Sequence, residues 1–376
     1  MRNRQVALLP RFALSLPGSL SSLPLLLAHG AAPALAGDGG GKQHTGIDVA
    51  AGGETFLLSF YGDHPAKRDR GGRLFRNNVL TGKSEHLGIP FAGDSWPMQR
   101  WDAERGVLVA IGECGLYENP ALPADGVPSG AAWDGDDDQH SFGSLLVYDS
   151  DARRALRAGL PPGPLRPERR SLVLEPRSGR FFTSTPPSPS RLLEVNTAAD
   201  ATPADRLRDT GLTLDGPVRA ATRGLSADGE LILVTRRGTL YALGFEPLRL
   251  REVGPAWNDG AWITDLPLDP TGRWLHDVVD STWTGRAYGV PLVRYDLAGG
   301  TRTVLAFLGP WLHEHHGYAA VGAYTAVVSP DGTRLFTQLN GCFTDDPDDA
   351  RHEQPVLLDV ALPAPWSRSP PGPSRP

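Results

Sequence analysis

Two cysteines in 376 residues allow one disulfide at most, so no disulfide framework holds this chain together. No segment runs through eighteen apolar residues without interruption, which excludes a membrane-spanning helix on sequence grounds. Basic excess is missing as well: the formal charge is −6, and an acidic chain makes a poor partner for nucleic acid or an anionic membrane. Also absent are the G-x-S-x-G elbow, the phosphate-binding loop, the dinucleotide fingerprint and the H-E-x-x-H zinc motif.

Acids are lacking altogether from residues 1–36, which carry Arg2, Arg4 and Arg11. An apolar stretch follows, densest at Leu23 to Ala28, and small residues close it at Ala34-Leu35-Ala36. Basic start, apolar middle and small flanking residues are the order of a secretory signal peptide, although Pro10, Pro17 and Pro24 are untypical of one. Its removal takes the formal charge to −9. The expected product is a soluble, monomeric, secreted or periplasmic protein with a short linker at 37–44. Such a compartment permits a Cys114–Cys342 bond.

Glycine and proline, by contrast, are plentiful. The 44 Gly and 35 Pro make up about a fifth of the chain, too many breakers for a helical bundle and suited to an all-β fold with frequent turns. With 40% apolar residues a large core is expected.

The turns recur. A short turn ending in Gly precedes an apolar strand six times, with the glycine at 53, 106, 179, 229, 272 and 332. Strands that run into polar turns alternate with them at Leu74-Phe75, Leu146-Val147, Leu192-Leu193, Leu240-Tyr241, Leu292-Val293 and Val356-Leu357. Spacings of 43 to 73 residues between the glycines fit a four-stranded antiparallel blade repeated around an axis. The expected fold class is an all-β, six-bladed β-propeller over residues 45–362, with room for a seventh blade in the long insert of blade 2. Residues 363–376 form a Pro-rich disordered tail. Blade 6 lacks a clear fourth strand, so either residues 363–367 or the N-terminal part must supply it.

The copy Ser329-Pro330-Asp331-Gly332-Thr333-Arg334-Leu335-Phe336, echoed at Ser226-Ala227-Asp228-Gly229, resembles the S-P-D-G repeat of TolB-like and other WD40-like β-propellers. That resemblance implies the fold and leaves function open, because the repeat serves scaffolds, peptidase gating domains and polysaccharide lyases. A gated peptidase would need a further hydrolase domain of about two hundred residues.

If strands A to D of each blade run outward from the axis, the A–B and C–D turns share one face. The B–C and D–A loops then share the opposite face, called top here. The long inserts fall on the top face, as do most histidines, both Asp clusters and six tryptophans. Trp96, Trp257, Trp262, Trp283 and Trp311 are therefore the expected ligand-binding residues. His313, His315 and His316 lie in what reads as an extended loop; with His140 they are candidate metal ligands. Asp134, Asp136 and Asp138 match half of a calcium loop, but Gln139 and Leu145 break its pattern.

Three functions stay open. The first is a binding or scaffold protein that presents this face to a glycan, peptide or protein. The second is a metal-assisted lyase on acidic polysaccharide, with calcium, manganese or zinc as candidate metal and His316, Tyr318 and Arg286 as catalytic groups. The third is a lactonase-like enzyme with axial calcium, for which Asp48 and Asp265 are the acids near strand A.

Overall fold

Short apolar runs closed by glycine turns form strands. The computed structural model describes residues 11–15, 48–50, 52–58, 74–78, 80–88, 90, 96–112, 144–159, 165–186, 188–256, 266–278, 289–349, 354 and 356–363. One strand, β1 (Arg11–Ser15), precedes the first blade. Blade 1 is β2 (Glu54–Leu58), β3 (Leu74–Asn78) and β4 (Lys83–Gly88). Blade 2 is β5 (Met98–Asp102), β6 (Val107–Ile111), β7 (Leu145–Asp149) and β8 (Arg154–Gly159). Blade 3 follows with β9 (Val173–Glu175), β10 (Arg180–Ser184), β11 (Ser190–Val195) and β12 (Leu207–Leu214). Blade 4 holds β13 (Val218–Ala221), β14 (Leu231–Thr235), β15 (Thr239–Phe245) and β16 (Leu248–Pro255). Blade 5 has β17 (Trp274–Val278), β18 (Pro291–Asp296) and β19 (Thr301–Phe307), then helix α1 (Leu308–His316). Blade 6 is β20 (Tyr318–Val328), β21 (Arg334–Phe343) and β22 (Val356–Ala361). These six sheets make a six-bladed β-propeller, and the described residues contain no seventh.

Blades 2, 3 and 4 are complete four-stranded antiparallel meanders. In blades 1 and 5 the innermost strand shrinks to a single bridge, Val49 to Thr55 and Leu268 to Leu275. Blade 6 takes its fourth strand from the N-terminal side, the second of the two sources the sequence allows. β1 pairs with β22 in parallel, Arg11 opposite Leu357 and Ser15 opposite Ala361. This differs from the antiparallel expectation in one strand, and it uses residues that the sequence reading assigns to the leader.

The described residues fall into two compact units, blades 1 to 4 up to Leu266, and blades 5 and 6 with β1. Within the first unit the blades meet through side chains that alternate along each strand. Leu108 and Ala110 of β6 join Phe56, Leu58 and Leu74 of blade 1, while Val109 and Ile111 join Phe181 and Leu193 of blade 3. A strand buried on both faces has to be apolar throughout, as in Leu231-Ile232-Leu233-Val234, where no residue exceeds 2% exposure. In the second unit Leu292, Leu308 and Leu312 pack with Leu335, Leu339 and Leu358.

All six repeat glycines adopt φ between 64° and 80°, the left-handed turn geometry that a Cβ disfavours. At Gly179 space adds to conformation: a Cβ there would meet Asp102 Oδ2 and lie 2.5 Å from Arg105 Cδ. Arg105 Nη2 donates to the Arg177 carbonyl at 2.7 Å, and Arg177 Nη2 donates to the Gly229 carbonyl at 3.1 Å. The A–B turns of blades 2, 3 and 4 are thereby tied in series.

Candidate functional site

The histidine-rich segment is a helix, not the extended loop that its Gly and Pro suggest. Pro310 lies in the first turn of α1, where its missing N–H leaves no helical hydrogen bond unmade, and Leu308 and Leu312 bury one side of the helix. Gly317 ends it at φ 63°, its N–H reaching the His313 carbonyl at 2.9 Å. The helix assigns different surroundings to the three imidazoles. His313 Nε2 donates to the Thr344 carbonyl at 3.2 Å. His315 Nδ1 donates to the Trp311 carbonyl at 2.9 Å, and its ring stacks on the Trp311 indole at 4.9 Å. His316 meets Trp311 edge-on at 5.2 Å. Among the described residues no group of three or more His, Cys, Asp or Glu side chains is placed to hold a metal ion. A cavity of about 360 Å³ does lie beside α1, with His313, Glu314 and Asp348 as its polar lining.

Other sequence candidates are placed as follows. Tyr318 is fully buried, and its hydroxyl donates to the Gln354 carbonyl at 2.8 Å. Burial pushes its phenol well above the usual range, which removes the expected general base. Trp96, expected on the ligand face, is 1% exposed within the core shared by blades 1 and 2, where a large ring beside a short inner strand fills space. Trp311 is half-buried under the histidines. Cys342 is buried at 3% exposure, and Cys114, its expected disulfide partner, lies outside the described residues. Asp48 is engaged: it accepts the Trp101 N–H at 2.9 Å and pairs with Arg223 Nη1 at 3.1 Å. His140, Asp134, Asp136, Asp138, Trp257, Trp262, Trp283, Arg286, Cys114 and Asp265 lie outside the described residues.

What the first unit does bring together is a buried acid and a buried arginine, on the top-face ends of the inner strands of blades 3 and 4. The inner strand of blade 3 is interrupted there. Glu168 N–H donates to the Ser184 carbonyl at 2.6 Å, then Arg169 and Arg170 form a turn, and Ser171 N–H closes it onto the Glu168 carbonyl at 3.1 Å. Hydroxyls fix the turn to its neighbours. Ser171 and Ser184 share a hydrogen bond of 2.8 Å, and Ser184 Oγ accepts the Val218 N–H at 2.9 Å. Val218 starts β13, so the next residue, Arg219, enters beside Glu168. On the B–C turn of blade 4, Arg236 N–H binds the Pro217 carbonyl at 2.8 Å.

Glu168 is 1% exposed and Arg219 6%. One carboxylate oxygen, Oε2, accepts the Arg170 N–H at 2.7 Å. The other, Oε1, lies 3.9 Å from Arg219 Nη1, too far for a hydrogen bond, and has no hydrogen-bond partner among the described residues. Burial drives the Arg219 guanidinium down to about 9; Glu168 opposes the shift, and the charges of Arg170, Arg236 and Arg169 add to it. The two buried charges thus face each other without a hydrogen bond, and burial disfavours Arg219 as a cation. The doublets Arg169-Arg170 and Arg236-Arg237 are visible in the sequence, but the interruption of the inner strand before Arg169 is not.

No protein-family model matches the chain, and no curated protein matches it. Similar solved structures include a protein from Lactobacillus plantarum, 14% identical with a TM-score of 0.48 over 77% of this chain and 76% of that one. A protein from Bacteroides uniformis provisionally named a 6-phosphogluconolactonase is 13% identical, with a TM-score of 0.46 over 76% and 75% of the two chains. The Dos1 propeller is 11% identical, with a TM-score of 0.47 over 84% and 68%. These are likenesses of fold and say nothing of a ligand.

Proposed function

We propose that this chain is a binding protein that holds a glycan, peptide or protein ligand at the top-face ends of blades 3 and 4. The observation that carries this reading is the buried Glu168–Arg219 pair at an interrupted inner strand. Interrupting an inner strand costs ladder hydrogen bonds, and burying the Arg219 guanidinium 3.9 Å from the Glu168 carboxylate without a hydrogen bond costs desolvation. Features that oppose stability in this way concentrate at binding sites. The inner strand ends on the loop face are also where a propeller offers a concave surface.

The test is a glycan and peptide array probed with the purified full chain and with an Arg170→Glu, Arg236→Glu variant. Both residues are half-buried, so the fold should survive reversal of their charge. Ligands that bind the parent chain are expected to be lost from the variant. An unchanged binding profile would refute the site.

A further inference from the structure

We infer that the cavity beside α1 takes a guanidinium, the planar cation of an arginine side chain. Its described lining belongs wholly to the second unit, so it shares no residue with the Glu168–Arg219 pair. At about 360 Å³ it falls within the ~300–1,000 Å³ of small-ligand pockets.

Three elements build it. The Gly309 N–H donates to the Gly289 carbonyl at 2.9 Å and holds the start of α1 against the end of the blade 5 B–C loop. A Cβ on Gly309 would lie 3.1 Å from that oxygen, so the approach depends on glycine. β20 supplies Ala319 and Ala320, whose methyl groups leave room above the strand. From the blade 6 B–C loop a single helical turn, Pro347–Asp349, packs against β20, and the Asp348 N–H fixes it by donating to Asp346 Oδ1 at 2.8 Å.

The polar lining consists of acceptors. Glu314 of α1 and Asp348 of the turn are carboxylates, and no Lys or Arg is among the described lining residues. His313 adds a third acceptor: Nε2 carries its proton, because it faces the Thr344 carbonyl at 3.2 Å, and Nδ1 of the neutral ring keeps a lone pair. Glu314 makes no hydrogen bond or ion pair with a described residue. An anion meets two like charges here, and a cation two opposite ones. The spacing decides which cation. His313, Glu314 and Asp348 line one cavity, yet they do not converge closely enough to hold a metal ion. A compact charge suits converging acceptors, whereas a guanidinium carries five N–H donors along the edges of a plane and serves acceptors set apart. Its faces are weakly hydrated and pack on apolar groups, which Pro310, Pro347, Ala319 and Ala320 supply. The carboxylates are exposed and the alanines buried, so the acceptors stand at the mouth and the apolar groups at the floor.

The experiment is isothermal titration of the full chain with acetyl-arginine amide, its neutral urea counterpart acetyl-citrulline amide, acetyl-lysine amide, agmatine and calcium chloride at matched ionic strength. The arginine derivative is expected to bind, with citrulline weaker by about tenfold or more and lysine by about fivefold. Agmatine no tighter than the arginine derivative identifies a peptide side chain as the source of the guanidinium, and tighter agmatine identifies a small free cation. Glu314→Gln and Asp348→Asn should each weaken binding about tenfold with unchanged melting temperature, since both side chains are exposed. Glu104→Gln removes one negative charge in blade 2 and should leave the affinity as it is. Lysine binding as tightly as arginine overturns the inference. So does an equal loss in Glu104→Gln, which would tie binding to net charge, and so does calcium that displaces the arginine derivative and is itself lost in Asp348→Asn. Failure of every guanidinium probe overturns it too.

Discussion

His276 offers a direct test of how strongly the interior of blade 5 disfavours charge. It sits on β17 opposite Arg294 of β18, it is 3% exposed, and its Nδ1 has no hydrogen bond among the described residues. Burial is the larger cause and the Arg294 guanidinium the second, and together they lower its pKa from 6.5 to about 4 against a smaller opposing effect of Asp269. In the unfolded chain the imidazole returns to about 6.5. Between those two values the unfolded state binds a proton that the folded state refuses, so unfolding becomes easier as pH falls. The full contribution is present above about pH 6.5, is lost at ~1.4 kcal/mol per unit down to about pH 4, and stays lost below, a total of roughly 3 kcal/mol. Replacement by a side chain that never charges, His276→Leu, removes this dependence. Urea unfolding of both proteins at pH 7, 5.5 and 4 isolates it, because the carboxylates common to both cancel in the difference. The variant's deficit, or advantage, relative to the parent should move in the variant's favour by about 3 kcal/mol between pH 7 and pH 4. Parallel curves would falsify the reasoning, as would a His276 resonance titrating near pH 6.5 in the folded protein.

Four further outcomes are expected. Gly179→Ala should cost about 1–3 kcal/mol, since it forces φ 71° on a residue with a Cβ and displaces Arg105, and a melting temperature equal to the parent's would count against the turn geometry. Tyr318→Phe should lose about 1–2 kcal/mol of stability by stranding the Gln354 carbonyl, yet keep ligand binding intact; loss of binding without loss of stability would return Tyr318 to the site. In a Cys114→Ser background the Cys342 side chain, 3% exposed, should resist a thiol reagent until denaturant is added, and rapid labelling of the native protein would contradict its burial. Deleting residues 1–36 should lower hydrogen-exchange protection at Val356–Ala361 and leave Leu231–Thr235 unchanged, with unchanged protection in both strands arguing against the β1 pairing.

The blades were legible in the sequence because two local signals coincide in each. A glycine that must turn left-handed stands before a strand that must be apolar on both faces, and neither needs knowledge of the rest of the chain. Gly229 before Leu231-Ile232-Leu233-Val234 is such a case. The site was less legible for reasons that particular residues make plain. Leu308-Gly309-Pro310 reads as a loop, but proline in a first turn costs the helix nothing, and the Leu308–Leu312 spacing is its true signature. Trp96 reads as a loop aromatic, although it fills the core beneath blade 1. Glu168 and Arg219 come from separate segments, and their meeting depends on a strand interruption that hydrophobic pattern does not encode.

The links between A–B turns have an evolutionary side. Arg105 and Arg177 both end on main-chain carbonyls of the following blade, at Arg177 and Gly229. A carbonyl is present whatever side chain occupies the position, so the receiving blade is at liberty to change nearly all its residues without losing the connection. Constraint on it contracts to a turn that keeps its shape and a glycine that leaves room for the incoming guanidinium. Blades joined in this way can drift apart in sequence until their common origin is hard to see, and still dock in order.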